Sequence, residues 1–174
     1  MASVLALALP AQAHEPVILD AGDVLPWNGP LILDGTQAAA LFGTLPNAAA
    51  VRSAQLRMQA GDQLNIALAV TNLAPESGLA SWQLPRVLVV APNGSSTVLN
   101  PTVRVPFTVG GMQLLRLREY STTAIVGTYS LVVSGAAPAR FLVSTGVEGV
   151  DLEDLERATI ATPAQVAAWY NTAP

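Results

Sequence analysis

His14 is the only histidine in the chain, and no cysteine or lysine accompanies it. That shortage narrows the chemistry sharply. Without a thiol there is no thiolate nucleophile, no disulfide and no Cys-ligated zinc. With a single imidazole, a Ser-His-Asp relay would have to use His14 as its base, from near the chain terminus. Asp20 and Asp23 follow a few positions on. Cleavage after Ala13 would leave His14 offering an amine and an imidazole together, half of a copper-binding histidine brace. Its usual complement is a second imidazole; here Asp20, Asp23 or Glu15 would have to serve as weaker ligands. A metal-binding extracellular protein built on His14 is therefore one reading of the sequence.

The remaining carboxylates suggest less. Asp20, Asp23 and the run Glu148, Asp151, Glu153, Asp154, Glu156 are rich in oxygen ligands, but calcium needs six to eight oxygens converging on one point. The second group also stands at the start of a predicted helix over 151–159, where acids complement the helix dipole. No two acids occupy recognisable strand ends, as a pair for glycoside hydrolysis would. Trp27 and Trp82 fall in predicted loops, where an exposed indole could stack on a sugar ring. A tryptophan plugging the core beneath its own loop is the competing reading. The stretch 72–84 is the longest unstructured interior segment and carries Glu76 and Trp82, and loops on a rigid frame are where recognition concentrates. Trp27, Glu76 and Trp82 are thus the candidate ligand-binding residues. Arg116 and Arg118 are read as sharing one solvated strand face.

The elements that must hold these residues are strands. Between Ser53 and Thr71 the apolar residues Leu56, Met58, Leu64, Ile66, Leu68 and Val70 all fall on even positions, on both sides of a Gln59-Ala60-Gly61-Asp62 turn. Alternation of this length marks strands with one buried and one wet face, and it reads as a central hairpin. Further strands are predicted at 31–33, 38–45, 86–91, 96–99, 104–109, 112–118, 127–134 and 140–144. Pro92-Asn93-Gly94 and Gly110-Gly111 supply tight turns between neighbours. Thr162-Pro163-Ala164-Gln165 is a capping box with proline at the first helical position, predicting a helix from 163 to about 170. Strands this closely spaced predict an all-β fold, an antiparallel, jelly-roll-like β-sandwich with a short C-terminal helical tail. The expected division is a truncated signal peptide over 1–13, an extended lead-in over 14–30, the sandwich over 31–146 and the tail over 147–174.

Composition sets the outer bounds. Hydrophobic residues make up 51% of the chain and charged ones 11%, and eight arginines against twelve acids leave a net charge of −4. No basic stripe exists for a nucleic acid to follow. Val4–Leu9, the break at Pro10 and Ala11-Gln12-Ala13 read as the apolar core and cleavage site of a secretory signal, with the true start upstream of Met1. No run approaches the ~20 apolar residues of a membrane-spanning helix.

Four landmarks occur in order: Gly43-Thr44-Leu45, Ala60-Gly61-Asp62-Gln63-Leu64, an apolar run over 87–94 closing on Asn93-Gly94, and GTYSLVVSG over 127–135. In order and spacing they resemble the bacterial pre-peptidase C-terminal domain, a secreted jelly-roll module, across residues 41–145. That family carries a D-x-D-x-Y/W-x-F signature where this chain has Val51-Arg52-Ser53-Ala54-Gln55-Leu56, so its calcium binding does not carry over. The His14-Glu15-Pro16 start and the layout are also similar to small uncharacterised secreted bacterial proteins. The expectation is a secreted or envelope-associated, non-catalytic binding module without a cofactor, its partner a glycan or a cell-envelope protein. The metal-binding reading through His14 is the alternative, and an accessory domain of a hydrolase comes third.

Overall fold

The computed structural model describes residues 14–174. The signal peptide expected over 1–13 lies outside the described residues. Twelve strands form two six-stranded sheets. The first holds β1 (Glu15–Ile18), β3 (Ala39–Leu45), β11 (Ala139–Thr145), β5 (Gln63–Thr71), β9 (Met112–Thr123) and β8 (Val105–Val109), in that spatial order. The second holds β12 (Leu155–Glu156), β2 (Leu31–Ile32), β4 (Val51–Met58), β10 (Gly127–Ser134), β6 (Arg86–Val90) and β7 (Ser96–Leu99). Their inner faces close over one core. It contains all ten of the residues the alternation points to most directly: Leu56, Leu64, Ile66, Leu68, Val70, Val89, Leu117, Tyr129, Leu131 and Val133. The fold is an all-β sandwich.

The central hairpin is not a hairpin. β4 pairs with β10 in the second sheet, whereas β5 pairs with β11 and β9 in the first. Residues 59–62 therefore arch across the sandwich. The alternation keeps its phase through the turn because both strands face the same core from opposite sides. Most connections do likewise, and the two predicted tight turns make the hairpins β6–β7 and β8–β9. Nor are the sheets wholly antiparallel: β1 runs parallel to β3, and β2 parallel to β4.

Both termini depart from the expected layout. Residues 14–30 are not a loose lead-in, since Glu15–Ile18 joins the first sheet and Val17 is fully buried. The helix expected over 151–159 is absent, and only Pro163–Asn171 (α1) of the tail is helical. An isolated nine-residue helix is marginal, and this segment has better partners when extended. Val150 and Asp154 accept from the backbone of Ala38 and Leu33 (2.7 and 2.9 Å), and Gln37 Oε1 accepts from Glu153 N at 3.0 Å. Leu152 is buried in the core. The capping box of α1 is present: Thr162 Oγ1 accepts from Gln165 N, and Gln165 Oε1 from Thr162 N. The helix lies on the outer face of the first sheet, where Trp169 meets Phe42 edge-on at 4.8 Å and donates to Gly43 O at 3.0 Å.

Candidate functional site

Glu76 is not at the surface. A short 3-10 turn, Glu76–Gly78, carries its side chain inward, where it is 0% exposed beside Arg140 at 2%. Arg140 Nε and Nη2 donate to Glu76 Oε1 and Oε2 at 2.8 and 2.9 Å, and the Arg140 backbone N–H adds a third bond at 2.7 Å. The other guanidinium hydrogens reach Tyr170 O at 2.6 Å and Ala74 O at 3.0 Å. Burial alone would raise the Glu76 carboxyl, but the hydrogen bonds from Arg140 outweigh it, and Glu76 lies below the ordinary glutamate value. The ligand-binding role expected of Glu76 gives way to a structural one: it clasps the 72–84 loop, β11 and the end of α1 together. The one charged residue in the run Ala137–Val143 was the signal for its partner.

Trp82 projects from the same loop and is 74% exposed. It is not a core plug, so the reading left to it is a surface contact. Trp27 is 63% exposed, whereas Trp169 is buried between α1, which carries it, and the first sheet. The two exposed tryptophans stand on separate supports, one loop tied to β4 through Ser53 and Asp23 and the other tied to β11 through Glu76.

His14, Asp20 and Asp23 do not converge. β1 is extended from Glu15, and Leu19 N still bonds Phe42 O at 2.7 Å. Six extended residues span ~20 Å, so His14 and Asp20 lie at opposite ends of the strand. Among the described residues no three His, Asp or Glu side chains gather to hold a metal, the acidic run 148–156 included. The expected metal set therefore divides between two places.

The first is a groove on the outer face of the first sheet. Two adjacent rows cross the strands there, Ala40–Ser144–Ala67–Glu119 and Phe42–Leu142–Ala69–Arg116. Four small residues leave the backbone floor low, and Phe107, Val109 and Met112 rise along one side. The groove encloses about 480 Å³, with His14, Glu119 and Glu148 at its polar end. An adjoining depression of about 420 Å³ continues past His14 to Asn65 and Ser121. A β-bulge shapes this end: the register shifts between Leu68 and Ala69, so Leu117 becomes an extra residue on β9. In a regular strand, residues three apart point to opposite faces. The bulge instead puts Arg116 and Glu119 on the same outer face, where they form an ion pair. It also breaks the shared face expected of Arg116 and Arg118, because Arg118 lies opposite the inward-facing Leu68. Burial pushes the His14 imidazole below the ordinary histidine value, against an opposing pull from Glu148.

The second is a depression of about 520 Å³ lined by Asp20, Asp23, Arg157 and Gln165. Asp23 Oδ2 accepts from Asp20 N at 2.6 Å. Burial pushes the Asp23 carboxyl above the ordinary aspartate value; that hydrogen bond pulls it back, Asp20's charge adds to the rise, and Arg52 and Arg157 restrain it. Arg157 adopts a left-handed φ of 63°, and its guanidinium bonds both Trp27 O and Gln55 Oε1. No sequence signal marks Arg157, because its importance comes from a bend that the predicted helix would have erased. No protein-family model matches the chain, and no curated protein matches it. Among the described residues no helix is long and apolar enough to cross a membrane.

Proposed function

We propose that the protein is a non-catalytic binding module acting outside the cytoplasm, and that its ligand, a cell-envelope component, lies in the groove over the first sheet. The groove itself carries this reading. α1 covers this outer face along one side, where Ala40, Phe42, Ala69 and Leu142 pack in one apolar cluster with Val166 and Trp169, and beside the helix the alanine and serine positions leave an open floor next to an apolar wall. A volume of about 480 Å³ lies within the ~300–1,000 Å³ of ligand clefts, which pair an apolar lining with a few convergent polar groups. His14, Glu148 and the Arg116–Glu119 pair are those groups here. Export is supported by the A-Q-A cleavage pattern and by the resemblance to a secreted jelly-roll module.

A filled groove tests the proposal. Ala67→Phe places a ring on the half-buried floor and should leave the melting temperature close to wild type. Wild-type protein should be retained on isolated envelope material, fractionated into wall glycan, lipid and protein, and the variant should lose retention on one fraction. Equal retention of both proteins would place the ligand elsewhere, and no retention of the wild type on any fraction would end the proposal.

A further inference from the structure

We infer that the open edge of β9 over residues 119–123 takes up an extended peptide segment of a partner protein as an added strand. The groove's occupant does not bear on this, because the groove lies on the face of the sheet and this site at its side. β9 is twelve residues long, but its edge partner β8 pairs only with residues 112–116. Thr102 N and Val103 N end that run by donating to Leu117 O at 2.9 and 3.2 Å. Beyond Leu117 the direction of each backbone group follows from its neighbours. Ala124 N donates to Asp62 O at 2.7 Å, and along an antiparallel ladder alternate residues bond the same neighbour. Arg118, Tyr120 and Thr122 therefore bond β5, while Glu119, Ser121 and Thr123 turn their N–H and C=O groups outward. All three are exposed, and among the described residues none of those backbone groups has a partner.

A row of donors and acceptors at this spacing is complementary to the backbone of another extended chain, and that sets the class of the occupant. β8, by contrast, is blunted. The Gly110-Gly111 turn makes Val109 and Met112 a bonded pair, so Val105, Phe107 and Val109 bond β9 and the backbone of Pro106 and Thr108 faces outward. Pro106 has no N–H to offer there, a common protection of edge strands. No proline stands in 117–123. A side-chain pocket adjoins the open run. Tyr120 and Thr122 lie opposite Ile66 and Leu64 and so face the interior; Thr97 lies opposite the buried Val89 in the other sheet. Between these walls is a cleft of about 190 Å³, completed by Ile125 and Tyr129, and its lining carries no charged group. A residue of the added strand opposite Tyr120 or Thr122 points the same way as they do, into a cleft suited to an uncharged, medium-sized side chain such as valine or isoleucine. Its neighbours in the peptide face outward, toward solvent.

Two measurements on the full chain test this. Amide hydrogen exchange followed by NMR should alternate along β9 in the free protein, with Glu119, Ser121 and Thr123 exchanging quickly and Tyr120 and Thr122 slowly. The binding probe is a phage-displayed library of random linear nonapeptides, selected on wild type and counter-selected on Ser121→Pro. That proline removes an outward N–H the fold does not use, so the variant should keep the wild-type melting temperature; Thr123→Pro is a second variant of the same kind. Synthetic copies of the enriched peptides should slow the three fast amides. They should bind at least about tenfold more weakly to either proline variant and to Thr97→Phe, which fills the cleft. N-methylation of alternate peptide amides should abolish binding, and the groove variant Ala67→Phe should leave it unchanged. The inference is overturned if no peptide is enriched, if the proline variants bind as well as wild type, or if N-methylation has no effect. Marked loss of melting temperature in both proline variants would show those N–H groups to be in use and count equally against it. Loss of binding in Ala67→Phe alone would place the peptide in the groove and also overturn it. Uniformly slow exchange over 119–123 in the free protein would do the same, and with a dimer in sedimentation it would assign the edge to a second copy.

Discussion

Removing one partner of the Glu76–Arg140 clasp should be among the most damaging single changes available in this protein. Glu76→Ala leaves a guanidinium that is 2% exposed without its counter-ion and deletes three hydrogen bonds to the carboxylate. Breaking a buried ion pair from one side costs ~3–5 kcal/mol, because the remaining charge stays desolvated. For a domain of this size each kcal/mol lowers the melting temperature by ~2–4 °C, so a fall of roughly 6–20 °C is expected. Replacing both partners by apolar residues, Glu76→Leu with Arg140→Met, removes the stranded charge but leaves Tyr170 O and Ala74 O without their donor. The double variant should therefore cost less than the two single losses added together, yet more than nothing. Urea unfolding followed by far-UV circular dichroism of wild type, Glu76→Leu, Arg140→Met and the double variant gives all four corners of the cycle. pH supplies an independent check. The folded-state value of Glu76 is depressed, so its contribution is complete above the unfolded glutamate value of ~4.3 and is lost as pH falls from there through the folded value. Wild-type stability should drop over that acid window, and the drop should be smaller in the double variant. Single variants within ~0.5 kcal/mol of wild type, the range of ordinary surface changes, would refute the clasp.

Leu68→Ala, at the centre of the core, should cost ~2–5 kcal/mol in the same unfolding assay, and a loss below ~0.5 kcal/mol would mean the strand phase is wrong. Gly146→Ala should be strongly destabilising, because a Cβ there would stand 1.9 Å from Gln37 O at a φ of +82°; a neutral outcome in thermal melts would contradict that close approach. Trp82→Ala should leave stability within ~0.5 kcal/mol of wild type, since the indole is largely in solvent, and a larger loss would restore the core-plug reading. His14, being the only histidine, gives a single imidazole signal by NMR. Its midpoint should lie below ~6.5 and fall further in Glu148→Gln, because the carboxylate favours the protonated form; an unchanged midpoint in that variant would show the coupling to be absent.

What could be read from the sequence was local, and what could not was pairing. Alternation states which side of a strand is buried, and it identified the core correctly from Leu56 to Val133. It is silent about which sheet a strand joins, because an arch and a hairpin around Gln59–Asp62 leave the same even-numbered residues facing inward. Turn chemistry was more informative where it was specific. Pro92-Asn93-Gly94 and Gly110-Gly111 do close hairpins, with φ of +83°, +55° and +81° at the three glycines. At 151–159 local propensity lost to long-range partners, as Val150 and Asp154 complete a backbone network with residues 33–38.

The candidate sites were less legible for the same reason, since each depends on residues distant in sequence. Asp20 and Asp23 were visible as oxygen ligands, but the group that changes their meaning is Arg157, brought over by the left-handed turn after β12. The pair that reads as metal ligands in the sequence stands under the charge of Arg52 and Arg157 in the structure. His14 was visible as a rare residue, yet its surroundings come from β5, β9, β11 and the 146–150 turn. The alanines at 40, 67 and 69 carry no functional signal in a sequence this rich in alanine. Only the register of three strands shows that they stand side by side, and that together with Ser144 they keep the sheet surface open beside His14. A one-residue bulge then turns Arg116 and Glu119 toward the same opening, so the polar end of the groove depends as much on where β9 is irregular as on which side chains it carries.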